Sequence, residues 1–368
     1  MTTAEEEQSR GRVPSVDRAV AVLDLVSGSR DGMSLAALTR AVGLPKSTVY
    51  AVCQTLTATR LLSRGADGSY RLGPAVIELS AARRQRGASV HRLGMCVPNM
   101  ENTFFQAEIA TAGAEALVAG ALFETRSAEQ DVDRQAADVA ALLAWGAEVL
   151  VVDPVASHGL EEALDRAHAR GVVVVSVNGA TFGADASVVT DNAQAGALVA
   201  RHLADRLGGR GDVVIVGGTP VTAITDRIEG FRRALADEPG MRIVDIEPGD
   251  NSRAAGREAA HRLRERSVRV DGIFAINDLT ALGVLDGYDH DAATPLVVSV
   301  DGSAAAVRQI EAGGPLSASA AQDPRLLART AVRLGLALAS GATSGRTLTL
   351  PTRLITRDDV PTYEPWES

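Results

Sequence analysis

The strongest constraint on the fold is a regular alternation of aliphatic runs with amphipathic segments after residue 92. A first group of runs comprises LGMCVP, ALVAGALFE, EVLVVDP, GVVVVSVNG and DASVVTDN. A second group comprises GDVVIVGG, MRIVDIEP, DGIFAIND and PLVVSVDG, and helical patterns such as DRQAADVAALLAWG lie between the runs. Strands that alternate with helices of this length form parallel sheets with helices on both faces. The two groups therefore predict two α/β lobes.

Acidic and amide residues follow several of these aliphatic runs directly. They are Asp153, Asn178, Asp191, Asn277 with Asp278, and Asp301. Because ligands of open α/β sheets bind beyond the carboxyl ends of the strands, we expect these side chains to face one crevice. The alternative role for any one of them is that of a turn former or a helix cap.

A different pattern occupies Ser34–Arg60, before the α/β region. Two short helical patterns are joined there by a Gly-Leu-Pro break. Gly43 suits the end of the first helix, and Pro45 suits the first turn of the second. The second pattern has one apolar face at helical spacing, formed by Val49, Val52, Cys53 and Leu56.

The remaining surface of that second helix carries short polar or basic side chains, which can reach phosphates and base edges. The residues predicted to bind DNA there are Pro45, Lys46, Ser47, Thr48, Tyr50 and Gln54. An ordinary helical hairpin with a solvated face is the alternative interpretation.

The segments on both sides of this helix pair favour a winged helix-turn-helix. Upstream, a helical stripe with Ser15 as its N-cap comprises Val16, Ala19, Val20, Leu23 and Val26. Downstream, LLSRGADGSYRLG has two strand-like segments around a Gly-Ala-Asp-Gly turn, which is typical of a β-hairpin. Arg64 and Arg71 lie at the base of this hairpin, so we predict that they contact the phosphate backbone. A small structural cap is the alternative role of the hairpin.

Charge is distributed unevenly along the chain, whose formal net charge is −9. Residues 9–92 hold 13 Arg or Lys against 5 Asp or Glu, whereas residues 93–368 hold 24 against 38. Lys46, at the start of the second helix of the pair, is the only lysine. A basic segment joined to an acidic one indicates that only the first part meets a polyanion.

Cysteine and histidine usage argues against a disulfide framework or a metal site. Cys53 and Cys96 are the only cysteines, and the six histidines lack a ligand-like spacing. The first residues, MTTAEEEQSRGR, are acidic and polar, and no run of about 18 apolar residues occurs. We therefore expect a cytoplasmic protein with no cofactor, no metal and no membrane partner.

Three segments of residues 13–80 have the character of a known family: SVDRAVAVLDLV, LAALTRAVGLPKSTVYAVCQTLTATRLLSR and YRLGPAVIELS. Together they resemble the N-terminal DNA-binding domain of IclR-type transcriptional regulators. The resemblance implies a winged helix-turn-helix whose second helix enters a major groove. It also implies a helix at about residues 74–84 that links this domain to the rest and helps it dimerise.

A second set of motifs covers residues 93 to about 355. It comprises ENTFF, VLVVDP, VVSVNG, VVTDNAQAG, DRIEGF, FAINDLTALG, VVSVDG and ASAAQDP. These motifs resemble the ribose-type periplasmic binding proteins, whose fold also serves as the sensor of LacI/GalR-type repressors. The resemblance implies that a ligand binds between the lobes. The ligand-binding residues that it implies are Asn102, Phe104, Phe105, Asp153, Asn178, Arg227, Asn277, Asp301 and Gln322.

The chain departs from this second family at several points. Asn178-Gly179 stands where ribose-type proteins commonly have Asp-Arg, and the polar segment EPGDNSRAAG lacks the further aromatic contacts of the family. The joint AARRQRGASVHRLG lacks the hinge helix that LacI-type proteins insert into the minor groove. A small polyhydroxylated ligand remains the expectation.

These features together predict an α/β sensor of two Rossmann-like lobes, the type I periplasmic binding protein fold, preceded by a small winged helix-turn-helix domain. The expected boundaries are a disordered lead at 1–12, a DNA-binding domain at 13–80, a linker at 81–92 and a sensor at 93–368. Within the sensor, lobe 1 would take about 93–191 and 323–350, and lobe 2 about 192–322 and 351–368.

The predicted function is that of a transcriptional regulator, a homodimeric repressor whose affinity for double-stranded operator DNA is controlled by a sugar or polyol. A cytoplasmic α/β enzyme acting on a sugar or nucleotide is the first alternative. However, IVGGTPVTAITDRIEG lacks GxGxxG spacing, and the sequence has no GxxxxGK[ST] or GxSxG motif. A transport receptor is the second alternative, and the basic N-terminal segment argues against it.

Overall fold

The structure is a computed structural model that describes residues 14–29, 32–65, 68–76, 90–266, 269–288, 294–342 and 347–367. The chain divides into two compact units between Ser89 and Val90. The expected lead at 1–12 lies outside the described residues. So do residues 77–89, which hold most of the expected connecting helix and linker.

The first unit contains three helices and an antiparallel hairpin in residues 14–72, and residues 74–76, at the start of the expected connecting helix, are also helical. Its elements are α1 (Pro14–Ser27), α2 (Leu35–Val42), α3 (Lys46–Ala58), β1 (Leu62–Arg64) and β2 (Tyr70–Leu72). The Ser34 hydroxyl accepts a hydrogen bond from the backbone of α2, and Gly43 ends that helix with a φ of 68°. The core that joins these elements comprises Val22, Val26, Leu38, Val49, Cys53, Leu56, Leu62 and Tyr70.

Helix α1 is oriented only in part as the sequence predicts, since Ala19, Leu23 and Val26 pack on the core but two other residues of the predicted stripe do not. It begins at Pro14, so Ser15 lies within the helix and does not cap it. Val22 is buried, whereas Val16 and Val20 are 57% and 49% exposed. Apolar residues occupy nearly every side of this helix, so the spacing alone allows more than one stripe. The core of the first unit selects the stripe that contains Val22.

The second unit alternates strands and helices along its length, as predicted. Its first half contains β3 (Arg92–Val97), α4 (Thr103–Ala119), β4 (Leu122–Ser127), α5 (Val132–Trp145), β5 (Val149–Val152), α6 (Glu161–His168), β6 (Val173–Val177) and β7 (Ala186–Thr190). Its second half contains α7 (Asn192–Leu207), β8 (Arg210–Val216), α8 (Thr222–Leu235), β9 (Gly240–Glu247), α9 (Arg253–Glu265), β10 (Gly272–Ala275), α10 (Asp278–Gly287) and β11 (Leu296–Asp301). The chain continues through α11 (Ala304–Ala312), β12 (Leu316–Ala321), α12 (Pro324–Ala339), β13 (Thr347–Leu350), β14 (Arg353–Thr356) and a 3-10 turn at Val360–Thr362.

These strands form two six-stranded sheets, one in each lobe. Lobe 1 has the order β13-β7-β6-β5-β3-β4 and is parallel throughout. Lobe 2 has the order β14-β12-β11-β10-β8-β9, and its edge pair β12–β14 is antiparallel. Strand residues alternate between the faces, so Val213 and Ile215 pack on one side of lobe 2 and Val214 and Val216 on the other. Helices therefore cover both faces, as a buried parallel sheet requires.

The chain passes between the lobes after β7, after β12, between β13 and β14, and a fourth time between β14 and Trp366. Strand β13 pairs with lobe 1 and β14 with lobe 2. Trp366, which the sequence-based division places in lobe 2, packs in the core of lobe 1. The Glu367 carboxylate binds both lobes, because it accepts hydrogen bonds from the Thr103 hydroxyl and from the Ala304 backbone.

Two element boundaries differ from the expectation. Strand β3 begins at Arg92, inside the expected linker. Helix α4 extends to Ala119 and ends at Gly120, whose φ is 74°, so residues 116–119 of ALVAGALFE are helical and β4 starts at Leu122. A short aliphatic run is compatible with either structure, and here the glycine ends a helix.

Candidate functional site

A cavity of about 430 Å³ lies between the two lobes, beyond the carboxyl ends of strands from both sheets. All of the side chains predicted to bind a ligand line it: Asn102, Phe104, Phe105, Asp153, Asn178, Arg227, Asn277, Asp301 and Gln322. Parallel strands in both sheets end at this crevice, which explains why residues so distant in sequence meet there.

Two other residues that follow aliphatic runs do not line this cleft. Asp191 caps helix α7 and accepts a hydrogen bond of 2.8 Å from the backbone N–H of Gln194. Asp278 is buried and accepts hydrogen bonds from the hydroxyls of Ser299 and Ser319. The expectation of a shared crevice is therefore wrong for these two aspartates, since backbone and hydroxyl donors within the fold take up their carboxylates.

Arg227 is a buried cation of the lobe 2 wall, with only 3% of the residue exposed. Its Nε donates to Asn192 Oδ1 at 2.8 Å, and its Nη1 donates to the Ile276 carbonyl at 2.8 Å. Nη1 also lies 3.7 Å from the Asp301 carboxylate. Helix α8 packs closely on α7, because a Cβ atom at Gly196 would lie 2.0 Å from the Arg227 carbonyl oxygen. Both the backbone and the side chain of this arginine are thus held in place.

Asp301 supplies a carboxylate at the end of β11. It accepts a hydrogen bond of 2.7 Å from Gln322 Nε2. Its φ of 131° lies in a region that non-glycine residues rarely adopt, and such strain clusters at ligand sites. Burial raises the pKa of Asp301 to about 7, and the charge of Arg227 acts in the opposite direction. The lobe 2 wall therefore presents a buried ion pair with a fixed amide partner.

The lobe 1 wall repeats this carboxylate–amide arrangement with Asp153 and Asn178. Asn178 Nδ2 donates to Asp153 Oδ2 at 3.3 Å, and Gln135 Nε2 donates to the Asp153 carbonyl at 2.6 Å. Burial raises the pKa of Asp153 to about 7, and hydrogen bonds to Glu108 and Asn178 act in the opposite direction. The acidic group on this side of the cleft is thus Asp153, and its partner Asn178 stands where the related family commonly has an acid.

Phe104 and Phe105 form an apolar part of the cleft at the start of α4. Their rings make an edge-to-face contact with centroids 5.8 Å apart, and Phe104 makes a second such contact with Trp366. Asn102 caps the helix, since its Oδ1 accepts from the Phe104 N–H at 2.9 Å. Aromatic surface beside planar polar groups suits a ligand that has both C–H surface and hydroxyl groups.

Sequence reasoning missed several polar residues of the cleft, most of which lie on loops. They are Asn99, Glu101, Glu129, Gln130, Thr219, Asp250, Asn251, Ser252 and Arg253. Asn251, within EPGDNSRAAG, bonds Thr219 through both amide atoms, and its carbonyl accepts from Asn277 Nδ2. The available signal was Ser252, which caps α9 and so places this segment at the carboxyl end of β9.

Direct hydrogen bonds join the two lobes near the cleft. The Thr222 N–H at the start of α8 donates to Ser157 Oγ of lobe 1 at 2.9 Å. Thr222 Oγ1 accepts from the Ala180 N–H, also in lobe 1, at 3.0 Å. Together with Glu367, these contacts hold the lobes against each other.

The side chains predicted to bind DNA lie mainly on the outer surface of α3. Pro45, Lys46, Ser47, Tyr50 and Gln54 are exposed, whereas Thr48 is half-buried. Pro45 precedes the helix as its N-cap and does not stand in its first turn, and its carbonyl accepts from the Val49 N–H. Gln54 Nε2 donates to the Tyr50 hydroxyl at 2.6 Å, which orients these two side chains together. Their contact with DNA stays a prediction.

Arg64 and Arg71 lie on opposite faces of the β1–β2 hairpin. The register pairs Ser63 with Arg71 and Arg64 with Tyr70, and side chains alternate along a strand. The Arg64 guanidinium lies over the Tyr70 ring, 5.7 Å from its centroid. We therefore expect the two arginines to contribute unequally to any contact that one face of the hairpin makes.

Within the described ranges, no group of three or more His, Cys, Asp and Glu side chains could hold a metal ion. None of the helices described is both long and apolar enough to span a membrane.

Comparisons with known families and proteins identify both units. The family described as periplasmic binding protein domain matches residues 93–343, and the IclR helix-turn-helix domain matches residues 15–65. The ribose import binding protein of Bacillus subtilis is 29% identical over 268 residues, which cover 72% of this chain and 87% of that protein. The xylitol-binding protein of Mycolicibacterium smegmatis is 28% identical over 193 residues, which cover 51% of this chain and 55% of that protein.

A solved structure supports the same assignment. The solute binding protein of an ABC transporter from Mycobacterium smegmatis, with bound glycerol, matches with a TM-score of 0.71 at 28% identity. The match covers 74% of this chain and 96% of that chain. The chain therefore belongs to the periplasmic binding protein family through its second unit and carries an IclR helix-turn-helix domain in its first.

Proposed function

We propose that this protein is a ligand-controlled transcriptional regulator that acts as a repressor. The observation that carries the proposal is the presence, in one chain, of a helix-turn-helix domain and a polar cleft between two lobes. The proposed ligand is a sugar or polyol. The relatives named for ribose and xylitol, and the similar structure with bound glycerol, support that choice.

In this proposal two copies form a cytoplasmic homodimer whose α3 helices read two half-sites of operator DNA. A ligand between Asp153 and Asp301 draws the lobes together, and the contacts of Thr222 with lobe 1 belong to the closed form. Ligand affinity and DNA affinity are then coupled by a finite and reciprocal free energy.

An electrophoretic shift assay with the full chain and the DNA upstream of its own and neighbouring genes tests this function. We expect binding that weakens steeply as salt rises, because arginine and lysine contacts release counterions from DNA. We also expect the apparent affinity to change when a sugar that binds the sensor is added. No binding at low salt, or binding that no sensor ligand alters, would exclude ligand-controlled regulation.

The charges of the cleft favour an uncharged ligand over a phosphorylated one. The lining carboxylates are Glu101, Glu129, Asp153, Asp250 and Asp301, against the cations Arg227 and Arg253. Arg227 is paired with Asp301, and Arg253 binds Asp286. Asn178 Oδ1 and Gln322 Oε1 are buried acceptors that have no hydrogen-bond partner among the described residues. Hydroxyl donors would satisfy these acceptors, whereas a phosphate would meet an excess of negative charge.

We therefore expect unphosphorylated ligands alone to raise the unfolding midpoint of the sensor. A ligand at about 100 times its Kd adds about 2.7 kcal/mol to the free energy of unfolding. A thermal-shift comparison of D-ribose, xylitol and glycerol with D-ribose 5-phosphate checks this. A midpoint increase with the phosphate that equals or exceeds that with the parent sugar would contradict the charge argument. The same thermal-shift assay is run on Asn102→Ser for comparison with the unsubstituted protein. Serine keeps the cap of α4 but removes the amide group from the cleft.

The hairpin makes a separate prediction about salt dependence. If the Arg71 face of the hairpin meets the phosphate backbone, Arg71→Ala lowers the slope of log affinity against log salt by about 0.9 per lost phosphate contact. Arg64→Ala is the control, because Arg64 lies on the other face. Salt slopes unchanged in both variants would show that the hairpin is a structural cap.

A further inference from the structure

Glu108 is a fully buried carboxyl group next to the cleft. It stands on the buried face of α4, between Phe104 and Ala112. Neither of its carboxylate oxygens accepts a hydrogen bond from a donor in the described part of the chain. The polar group that acts on it is the carboxyl of Asp153, which lies within hydrogen-bonding reach.

Two buried carboxyl groups in contact cannot both carry a charge without a large cost. Each would be removed from water, and the like charges would repel each other. If one of the two groups keeps its proton, the repulsion is removed, and the protonated group donates a hydrogen bond to the other. Burial first, and then Asp153, raises the pKa of Glu108 well above its ordinary value.

The surroundings decide which of the two residues keeps the proton. Asp153 has an amide donor in Asn178 and feels the positive charge of Arg227, whereas neither group acts on Glu108. The Cys96 thiol, which is close enough to Asp153 to feel its charge, stays uncharged, because burial raises the pKa of the thiol to about 12. The proton therefore resides on Glu108, and Asp153 accepts it as a hydrogen bond.

Two arginines of α12, the helix that packs on α4, bind another glutamate and do not neutralise Glu108. Arg329 and Arg333 of α12 bind Glu115, which lies on the same helix as Glu108. Glu115 thus offers a glutamate of α4 whose charge is compensated, in contrast to Glu108.

We propose that Glu108 is a positioning residue that keeps one proton and donates it as a hydrogen bond to Asp153, so that Asp153 is the member of the pair that ionises and serves as the acceptor at the cleft wall. A hydroxyl group of the ligand would donate to that acceptor, and this use of the pair rests on the proposed function. The proton itself does not rest on it, so it can be tested without ligand and without DNA.

The sign of the pH dependence follows from the proton count. In the unfolded chain Glu108 ionises near its ordinary pKa of 4.5, whereas in the folded protein its pKa is raised. Between the two values the folded protein binds one more proton than the unfolded chain. Its free energy of unfolding therefore falls as pH rises through that range. Glu108→Gln removes this loss, because the amide can still donate to Asp153 but cannot ionise.

Tryptophan fluorescence of the full chain measures this effect in the sensor alone, since both tryptophans, Trp145 and Trp366, lie there. Between pH 5 and pH 8 we expect the unfolding midpoint of Glu108→Gln to rise relative to the unsubstituted protein by about 5 °C. Glu115→Gln is the control and should show no such relative rise.

The proposal is overturned if the unfolding midpoints of Glu108→Gln and of the unsubstituted protein change in parallel from pH 5 to pH 8. If the glutamine variant fails to fold, Glu108→Leu provides the same comparison, because leucine removes the titrating group and suits an apolar helix face. The carboxylic acid C=O band in the infrared spectrum at pH 7 is a second measurement. It should weaken when Glu108 is replaced, and an unchanged band would place the proton elsewhere.

Discussion

Arg227→Met is expected to destabilise the sensor by about 3–5 kcal/mol, because it leaves the buried Asp301 carboxylate without its cation. Asn192 Oδ1 and a backbone carbonyl lose their donors in the same change. Methionine fills a similar volume, so the expected loss reflects charge and hydrogen bonding more than a cavity. Thermal unfolding followed by the fluorescence of the two sensor tryptophans measures it.

Arg253→Met is the matched control for this variant. Arg253 lines the same cleft and forms two hydrogen bonds with Asp286, at 2.7 and 2.8 Å. Its side chain is 56% exposed, so the ion pair is screened by water and its loss should cost only about 0–1 kcal/mol. Equal destabilisation by the two substitutions would refute the view that Arg227 holds a buried charge pair together.

Leu38→Ala is expected to abolish DNA binding without affecting the sensor. Leu38 is fully buried in the core of the first unit, which it shares with side chains of α1 and α3. Its truncation costs about 2–5 kcal/mol, which is comparable with the whole stability of a core this small. The electrophoretic shift should disappear, while the unfolding midpoint reported by the sensor tryptophans should stay unchanged.

Val20→Ala is the control for the loss of DNA binding expected in Leu38→Ala. Val20 is 49% exposed on α1, so its truncation should change the stability of the DNA-binding domain by no more than about 0.5 kcal/mol. Loss of DNA binding in Val20→Ala through unfolding of this domain would instead favour the helical stripe that the sequence suggests. The pair of variants therefore also tests the orientation of α1.

Four of the predicted cleft residues could be located from the sequence because a parallel sheet has a fixed geometry, and the other five were implied by the resemblance to ribose-type binding proteins. Asp153 and Asp301 directly follow aliphatic strands, and the carboxyl ends of parallel strands face the ligand crevice. The same rule failed for Asp191 and Asp278, because a residue at a strand end can also turn back to cap a helix or bind hydroxyls. Only the three-dimensional positions of the competing donors separate these outcomes.

The directions of other side chains had no usable signal in the sequence. Glu108 lies four residues after Phe104 in a mixed helix, where a glutamate ordinarily indicates the solvent face. Asn251 owes its place to a loop conformation with a φ of 70°, which composition does not reveal. The stripe of α1 was ambiguous because apolar residues surround that helix. These errors all concern side-chain direction, which packing decides after the elements have formed.

The paths of the chain through the two units differ in a way that bears on modularity. The DNA-binding domain is joined to the sensor by a single passage of the chain, so one recombination event could exchange it for another. The lobes are joined by four passages, after β7, after β12, between β13 and β14, and between β14 and Trp366. Neither lobe is a continuous segment, and neither could be inherited or replaced without the other. The DNA-binding domain can therefore be exchanged at residue 89, whereas the two lobes must be inherited together.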